Sequence, residues 1–224
     1  MDGSTRTSPV SWLAVGVGYA LAAAVFVLRL GGSELPLTLE LVGAVALAAV
    51  VAVPPTLALA GLTGRPVLLL PAGLIGVTSL PVLSVLGIPM ALLGIIWFWS
   101  YFKLRPSGGI AGKAVTALAV WLLWAASAVV LLIHLDPRCV QTLTDGTVLP
   151  VDAARIGFES GWLWEVSSTT ITQSILTSDV VSEACASDIV TGWEALASLA
   201  LAAGAVTTGW LMTKAEATAT PTTQ

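Results

Sequence analysis

Apolar positions in this chain do not alternate with polar ones at a helical or a strand period; they run on without interruption. Five stretches contain no Asp, Glu, Lys or Arg: 7–28, 41–64, 66–102, 114–135 and 195–213. A membrane-crossing helix needs about 20 apolar residues to traverse ~30 Å of hydrocarbon, and four of the stretches have that length. As one straight helix, 66–102 would be roughly 55 Å long, more than ordinary tilt absorbs. It also carries Pro71, Gly73, Gly76, Pro81, Gly87 and Pro89. The residue before a proline avoids the helical region, so Thr78-Ser79-Leu80-Pro81 predicts a tight turn near its midpoint. The pattern predicts six spans, near 10–29, 40–62, 66–80, 82–102, 114–134 and 193–213. Five spans result if 66–102 crosses only once.

Residues 135–192 follow a different rule. Residues 140–144 and 147–149 are rich in Val, Thr and Leu and flank Asp145-Gly146, the pattern of a β-hairpin. Glu159-Ser160-Gly161 predicts a second turn, and 166–175 mixes β-branched with polar residues, so three or four short strands are expected. The last span then begins at Thr191-Gly192-Trp193-Glu194, which fits the capping box and gives Glu194 a structural task rather than a catalytic one.

Composition narrows the class. Hydrophobic residues make up 56% of the chain and charged residues 10%, with mean hydropathy +0.93. A soluble domain carries about 25% charged residues, so a soluble monomer is excluded, and disorder with it. An apolar segment that continues to Leu28 without a small-residue cleavage site reads as a retained first span, not a signal peptide.

The charge is unevenly placed. Nine of the 13 acids (Asp136, Asp145, Asp152, Glu159, Glu165, Asp179, Glu183, Asp188 and Glu194) lie in 135–194, with only Arg138 and Arg155 against them. The remainder is weakly basic, and no footprint for nucleic acid is present. Six crossings place Arg6, Arg65, Lys103, Arg105, Lys113 and Lys214 on the cytoplasmic side and Arg29, Arg138 and Arg155 outside, a better split under the positive-inside rule than five crossings give. Either arrangement puts the acidic segment outside. The chain's two cysteines, Cys139 and Cys185, both fall in it, and two thiols confined to one exterior segment predict a disulfide. The chain has no Asn, so N-glycosylation is excluded.

Aromatic and small residues suit a bundle. Trp12, Trp97, Trp99, Tyr101 and Trp193 fall near predicted span ends, where amphipathic rings favour the headgroup region. Trp121 and Trp124 lie inside the fifth span and are expected to face lipid or fill packing gaps. Gly16, Ala20 and Ala24, and Ala200 with Gly204, recur at the four-residue spacing that lets helices approach closely.

Candidate chemistry is sparse. The single histidine, His134, has Asp136 two positions away, too few ligands for zinc and no Gly-x-Ser-x-Gly elbow for a hydrolase. The stretch 107–114 resembles a phosphate loop only loosely: Ser107 and Ala114 occupy positions that require Gly and Ser or Thr, and a span precedes it instead of a strand. It reads as a cytoplasmic turn. Span centres hold no ionisable residue, while Arg29, Glu34 and Glu40 surround one short outer loop.

The sequence therefore specifies an all-α integral membrane protein with an α-helical bundle over 1–134. An extracytoplasmic cap over 135–192, β-rich and closed by a Cys139–Cys185 disulfide, precedes a last span over 193–213 and a disordered cytoplasmic tail over 214–224. A multi-pass protein of the cell (plasma) membrane is expected, non-enzymatic and without cofactor or metal. Its partners are the lipid bilayer and, through the acidic cap, a membrane-protein partner or a second copy in a homo-oligomer. The alternative is a small-solute or ion transporter using the broken stretch 66–102 together with Pro54-Pro55.

Overall fold

The computed structural model describes residues 8–30, 37–80, 86–104, 106, 109–133, 138–151, 180–186 and 192–219. Among these, the helices are α1 (Pro9–Leu30), α2 (Leu37–Leu62), α3 (Leu69–Thr78), α4 (Gly87–Leu104), α5 (Ile110–Ile133) and α6 (Gly192–Ala219). A 3-10 turn, Pro66–Leu68, leads into α3, and strands β1 (Arg138–Leu143), β2 (Val148–Val151) and β3 (Val180–Ala186) lie between α5 and α6. Five helices are long and apolar enough to cross a membrane: Pro9–Leu30, Leu41–Leu62, Gly87–Leu104, Ile110–Leu131 and Trp193–Lys214. That is the signature of a multi-pass membrane protein.

The expected span over 66–80 is the exception. The chain does turn at Ser79 and Leu80, so 66–102 is not one helix. Its first half, Pro66–Thr78, is short, however, at roughly 20 Å by helical rise. It ends beside the middle of α5: the indole of Trp121, halfway along that helix, donates to Thr78 Oγ1 at 2.9 Å.

Packing is organised around α2. Of its apolar window 56% is buried inside the bundle, against 28% for α1 and α6. It contacts α1, α3, α5 and α6, while α3 packs on α4, α1 on α4, and α5 on α6. Helix α1 turns one stripe inward, Ser11, Ala14, Val15, Gly18, Ala22 and Val25, and α4 does likewise through Met90, Leu93, Gly94, Trp97 and Ser100. These spacings of three and four residues set one face on neighbouring helices and leave the other for lipid.

Two prolines sit inside α2, Pro54 and Pro55. A proline has no N–H, so Pro54 cannot bond the carbonyl of Val50 four residues earlier. Trp124 of α5 supplies the missing donor: its buried indole N–H meets Val50 O at 3.1 Å. Helix α2 ends with Gly64 at φ 145° and the Arg65 N–H on Ala60 O, a Schellman-type stop; Pro66 follows and cannot continue the helix.

Helices α3 and α4 meet backbone to backbone. A Cβ built on Gly76 would lie 2.7 Å from Gly94 Cα and 2.9 Å from Met90 O. Small residues here let two main chains touch where larger ones would hold them apart. Helices α5 and α6 are joined instead by a buried hydroxyl pair: Ser127 Oγ donates to Ser198 O at 2.7 Å and lies 2.9 Å from Ser198 Oγ.

The strands form a three-stranded antiparallel sheet in the order β2-β1-β3. The predicted hairpin is present. The Gly146 N–H bonds Leu143 O, Gly146 takes φ 82°, and Leu143 N–H bonds Thr147 O. That is a three-residue hairpin loop closed by a left-handed glycine. β3 was not expected from the sequence. The predicted turn at 159–161 and the strand-like run 166–175 lie outside the described residues.

Aromatic placement is corrected at one position. Trp99 is 65% exposed, and Trp12 and Trp193 are also exposed, but Trp97 is fully buried. It belongs to the inward stripe of α4, so helical phase overrides its nearness to the span end.

Candidate functional site

Several polar side chains within the bundle bond from one helix to another, beside the Ser and Thr hydroxyls that donate to carbonyls of their own helix. Besides Ser127–Ser198 and Trp124–Val50, Ser11 Oγ lies 2.7 Å from Ser100 Oγ, and Tyr19 Oη lies 3.0 Å from Thr56 Oγ1. Charged side chains among the buried described residues are limited to Lys113 and Glu194, each in the first turn of its helix. Lys113 donates to the Pro106 carbonyl. Glu194 stands at the third position of α6, as the capping box requires, while Thr191 lies outside the described residues. Trp97 Nε1 and Thr116 Oγ1 are buried without a hydrogen-bond partner and stand on different helices.

The broken stretch 66–102 resolves into a packed hairpin. Pro71 is buried in the first turn of α3 and Pro89 falls in the first turn of α4, positions where a missing N–H costs no helical bond. Thr78 Oγ1 and Ser79 Oγ donate to Leu74 O and Gly76 O, satisfying carbonyls at the end of α3. Pro81 lies outside the described residues.

Cys139 and Cys185 occupy facing positions. Strands β1 and β3 run antiparallel, and their register pairs Cys139 with Cys185, between Arg138–Ala186 and Val140–Ala184. Their side chains are outside what the structure describes. His134, Asp136, Glu34, Ser107 and Gly108 also lie outside the described residues. Among the described residues, no three or more His, Cys, Asp or Glu side chains gather in a way that could hold a metal ion.

A feature the sequence reading missed lies where α2 and α6 end. Arg65, placed by the Gly64 stop, reaches across to α6. Its guanidinium stands 4.1 Å from the Trp210 ring centroid, and Nη1 donates to Trp210 O at 2.6 Å and to Thr213 Oγ1 at 3.3 Å. Lys214 Nζ lies 5.7 Å from the same ring. On α4, Lys103 Nζ lies 5.5 Å from the Trp99 ring. The four-residue spacing of Trp99 with Lys103, and of Trp210 with Lys214, was readable as one-face pairs; the arrival of Arg65 from another helix was not.

These contacts fix which helix ends lie together. Ser11 with Ser100 joins the start of α1 to the end of α4, and Arg65 with Thr213 joins the end of α2 to that of α6. α5 pairs Ser127 with Ser198, near the start of α6, so it runs opposite to α6 and begins at the same end as these groups. Arg65, Lys103, Lys113 and Lys214 therefore gather at one end of the bundle. The sheet is attached at the other, between the end of α5 and the start of α6.

Comparison with protein-family models, curated proteins and solved structures gives no match for this chain.

Proposed function

We propose that this protein is a non-enzymatic, multi-pass protein of the cell membrane that holds an acidic sheet domain outside, where it contacts a partner membrane protein or a second copy of itself. The observation that carries this reading is the separation of charge by the bundle. Four cations collect at one end, and the chain segment bearing nine acids is tethered to the other. The positive-inside rule then assigns the basic end to the cytoplasm. An epitope inserted in the Asp145-Gly146 turn, an exposed loop tip that tolerates insertion, is expected to react on intact cells. Reaction only after permeabilisation defeats the orientation. Copurification in mild detergent tests the binding role: a self-associated or hetero-oligomeric species is expected, and a lone monomer defeats it.

The sheet domain is held, in this reading, by a Cys139–Cys185 disulfide. Facing residues of antiparallel strands have Cα atoms ~4.5–5.5 Å apart, inside the ~4.4–6.8 Å that a disulfide spans. Non-reducing peptide mapping is expected to recover the two cysteines in one linked species; alkylation of both thiols without reduction overturns it.

A transport role is favoured by one observation, the ending of α3 beside the middle of α5. Against it stand the direct backbone contact of Gly76 with Gly94 and an interior that, among the described residues, buries charged side chains only in the first turns of α5 and α6. Specific solute uptake into proteoliposomes, lost on changing Pro71, would replace the binding reading with this one.

A further inference from the structure

We propose that Arg65, Trp210 and Lys214 form a binding site for the phosphate headgroup of an anionic phospholipid. Three observations converge. The first is the chemistry of the cluster. Two cations lie within cation–π range of one indole. Among the described residues, Arg65 spends only Nη1 on acceptors, Nε and Nη2 have no partner, and no carboxylate pairs with it. A guanidinium fork with donors to spare matches two oxygens of a phosphate. The second is depth. The apolar span of α2 ends at Leu62 and that of α6 at Lys214, so Arg65 and Lys214 stand at the edge of the hydrocarbon, where lipid phosphates lie. The third is the indole. Trp210 is 45% exposed, which leaves an amphipathic ring beside the headgroup and upper acyl chain of a bound lipid.

The pieces are pre-ordered. Thr213 Oγ1 donates to Gly209 O and receives Arg65 Nη1, so the arginine is held against α6 before any lipid arrives. A phosphate bridging Arg65 and Lys214 would add a second link between α2 and α6. The site rests on the assignment of these helices as membrane spans. It is independent of which side the basic end faces and of any contact made by the sheet.

Native mass spectrometry of the full chain in mild detergent tests this, with phosphatidylglycerol and phosphatidylcholine added at equal concentration. Phosphatidylglycerol is expected to be retained in preference to phosphatidylcholine. Arg65→Gln and Lys214→Gln should each weaken that retention about fivefold, the effect of one cation near an anionic lipid surface. Lys103→Gln removes the same charge from the same end and should leave it nearly unchanged. If Arg65→Gln proves unstable, because Arg65 also ties α2 to α6, the exposed Lys214→Gln and Lys214→Glu carry the test. Equal retention of the two lipids overturns the proposal. So does an equal loss in Lys103→Gln, which would mean diffuse attraction, or displacement of the lipid by equimolar inorganic phosphate, which would mean a free-anion site.

Discussion

At the scale of single residues, the interior is governed by backbone groups that water cannot reach. Pro54 leaves the Val50 carbonyl without a helical donor, and Trp124 replaces it. Trp124→Phe keeps most of the ring but strands a buried acceptor, a loss of about 1–3 kcal/mol. Pro54→Ala restores the helical N–H, so Pro54→Ala/Trp124→Phe should be less destabilised than the sum of the two single changes. Unfolding in mixed micelles measures this cycle, and strict additivity would refute the coupling. In the hairpin, Asp145 Oδ1 accepts the Thr147 N–H at 2.8 Å, and that bond to the ionised form pulls the carboxyl below its ordinary value. Folding thus favours ionised Asp145. Its contribution is complete above the unfolded carboxyl value of about 3.9 and fades as pH falls through the lower folded one. Protection of the Thr147 amide from exchange should drop over that acid range in the native chain. Asp145→Asn, which keeps the acceptor oxygen without the titration, should flatten the dependence.

At the scale of elements, what matters is how close two helices come. Gly94 faces α3 so tightly that a Cβ would lie 2.7 Å from Val77 N and 2.8 Å from Gly73 O. Gly94→Leu must push the two main chains apart, an overpacking cost of about 1–3 kcal/mol or more. Gly16 is the control: it is exposed on α1, and a Cβ there meets nothing within 4 Å. Gly16→Ala should be neutral or slightly stabilising, since alanine favours the helix by up to about 1 kcal/mol. Thermal melts in detergent compare the two, and similar losses in both would discount the α3–α4 contact. The turn separating these helices was legible because Pro81 restricts Leu80, and the Asp145-Gly146 hairpin because a left-handed position calls for glycine. Strand β3 was not legible. Val180-Val181-Ser182-Glu183-Ala184-Cys185-Ala186 alternates weakly, and its place beside β1 is set by pairing with a strand 40 residues away in sequence. The length of α3 was equally hidden, because hydropathy continues past Thr78 without change.

At the scale of the whole molecule, the arrangement of ends follows from a few long-range bonds. Ser11 with Ser100, Arg65 with Thr213 and Ser127 with Ser198 place the start of α1, the ends of α2 and α4, the start of α5 and the C-terminal part of α6 together. Tags at the two termini should therefore show the same sidedness in protease protection of intact cells and of inverted vesicles. Opposite sidedness would contradict this shared end.

The sequence by itself determined that this chain lives in lipid, roughly where it crosses, and where its acids and cysteines are concentrated. Those properties depend on local runs of apolar and charged side chains. Only the tertiary structure decided which face of each helix meets protein: Trp97 within the core and Trp99 outside it, Gly94 against α3 and Gly16 against nothing, Arg65 over an indole of another helix. The physical reason is the solvent. In water a buried face must be more apolar than an exposed one, which writes a period into the sequence. In a bilayer both surroundings are apolar, so the period vanishes, and the choice of face passes to close packing and to the few polar groups that must find a partner.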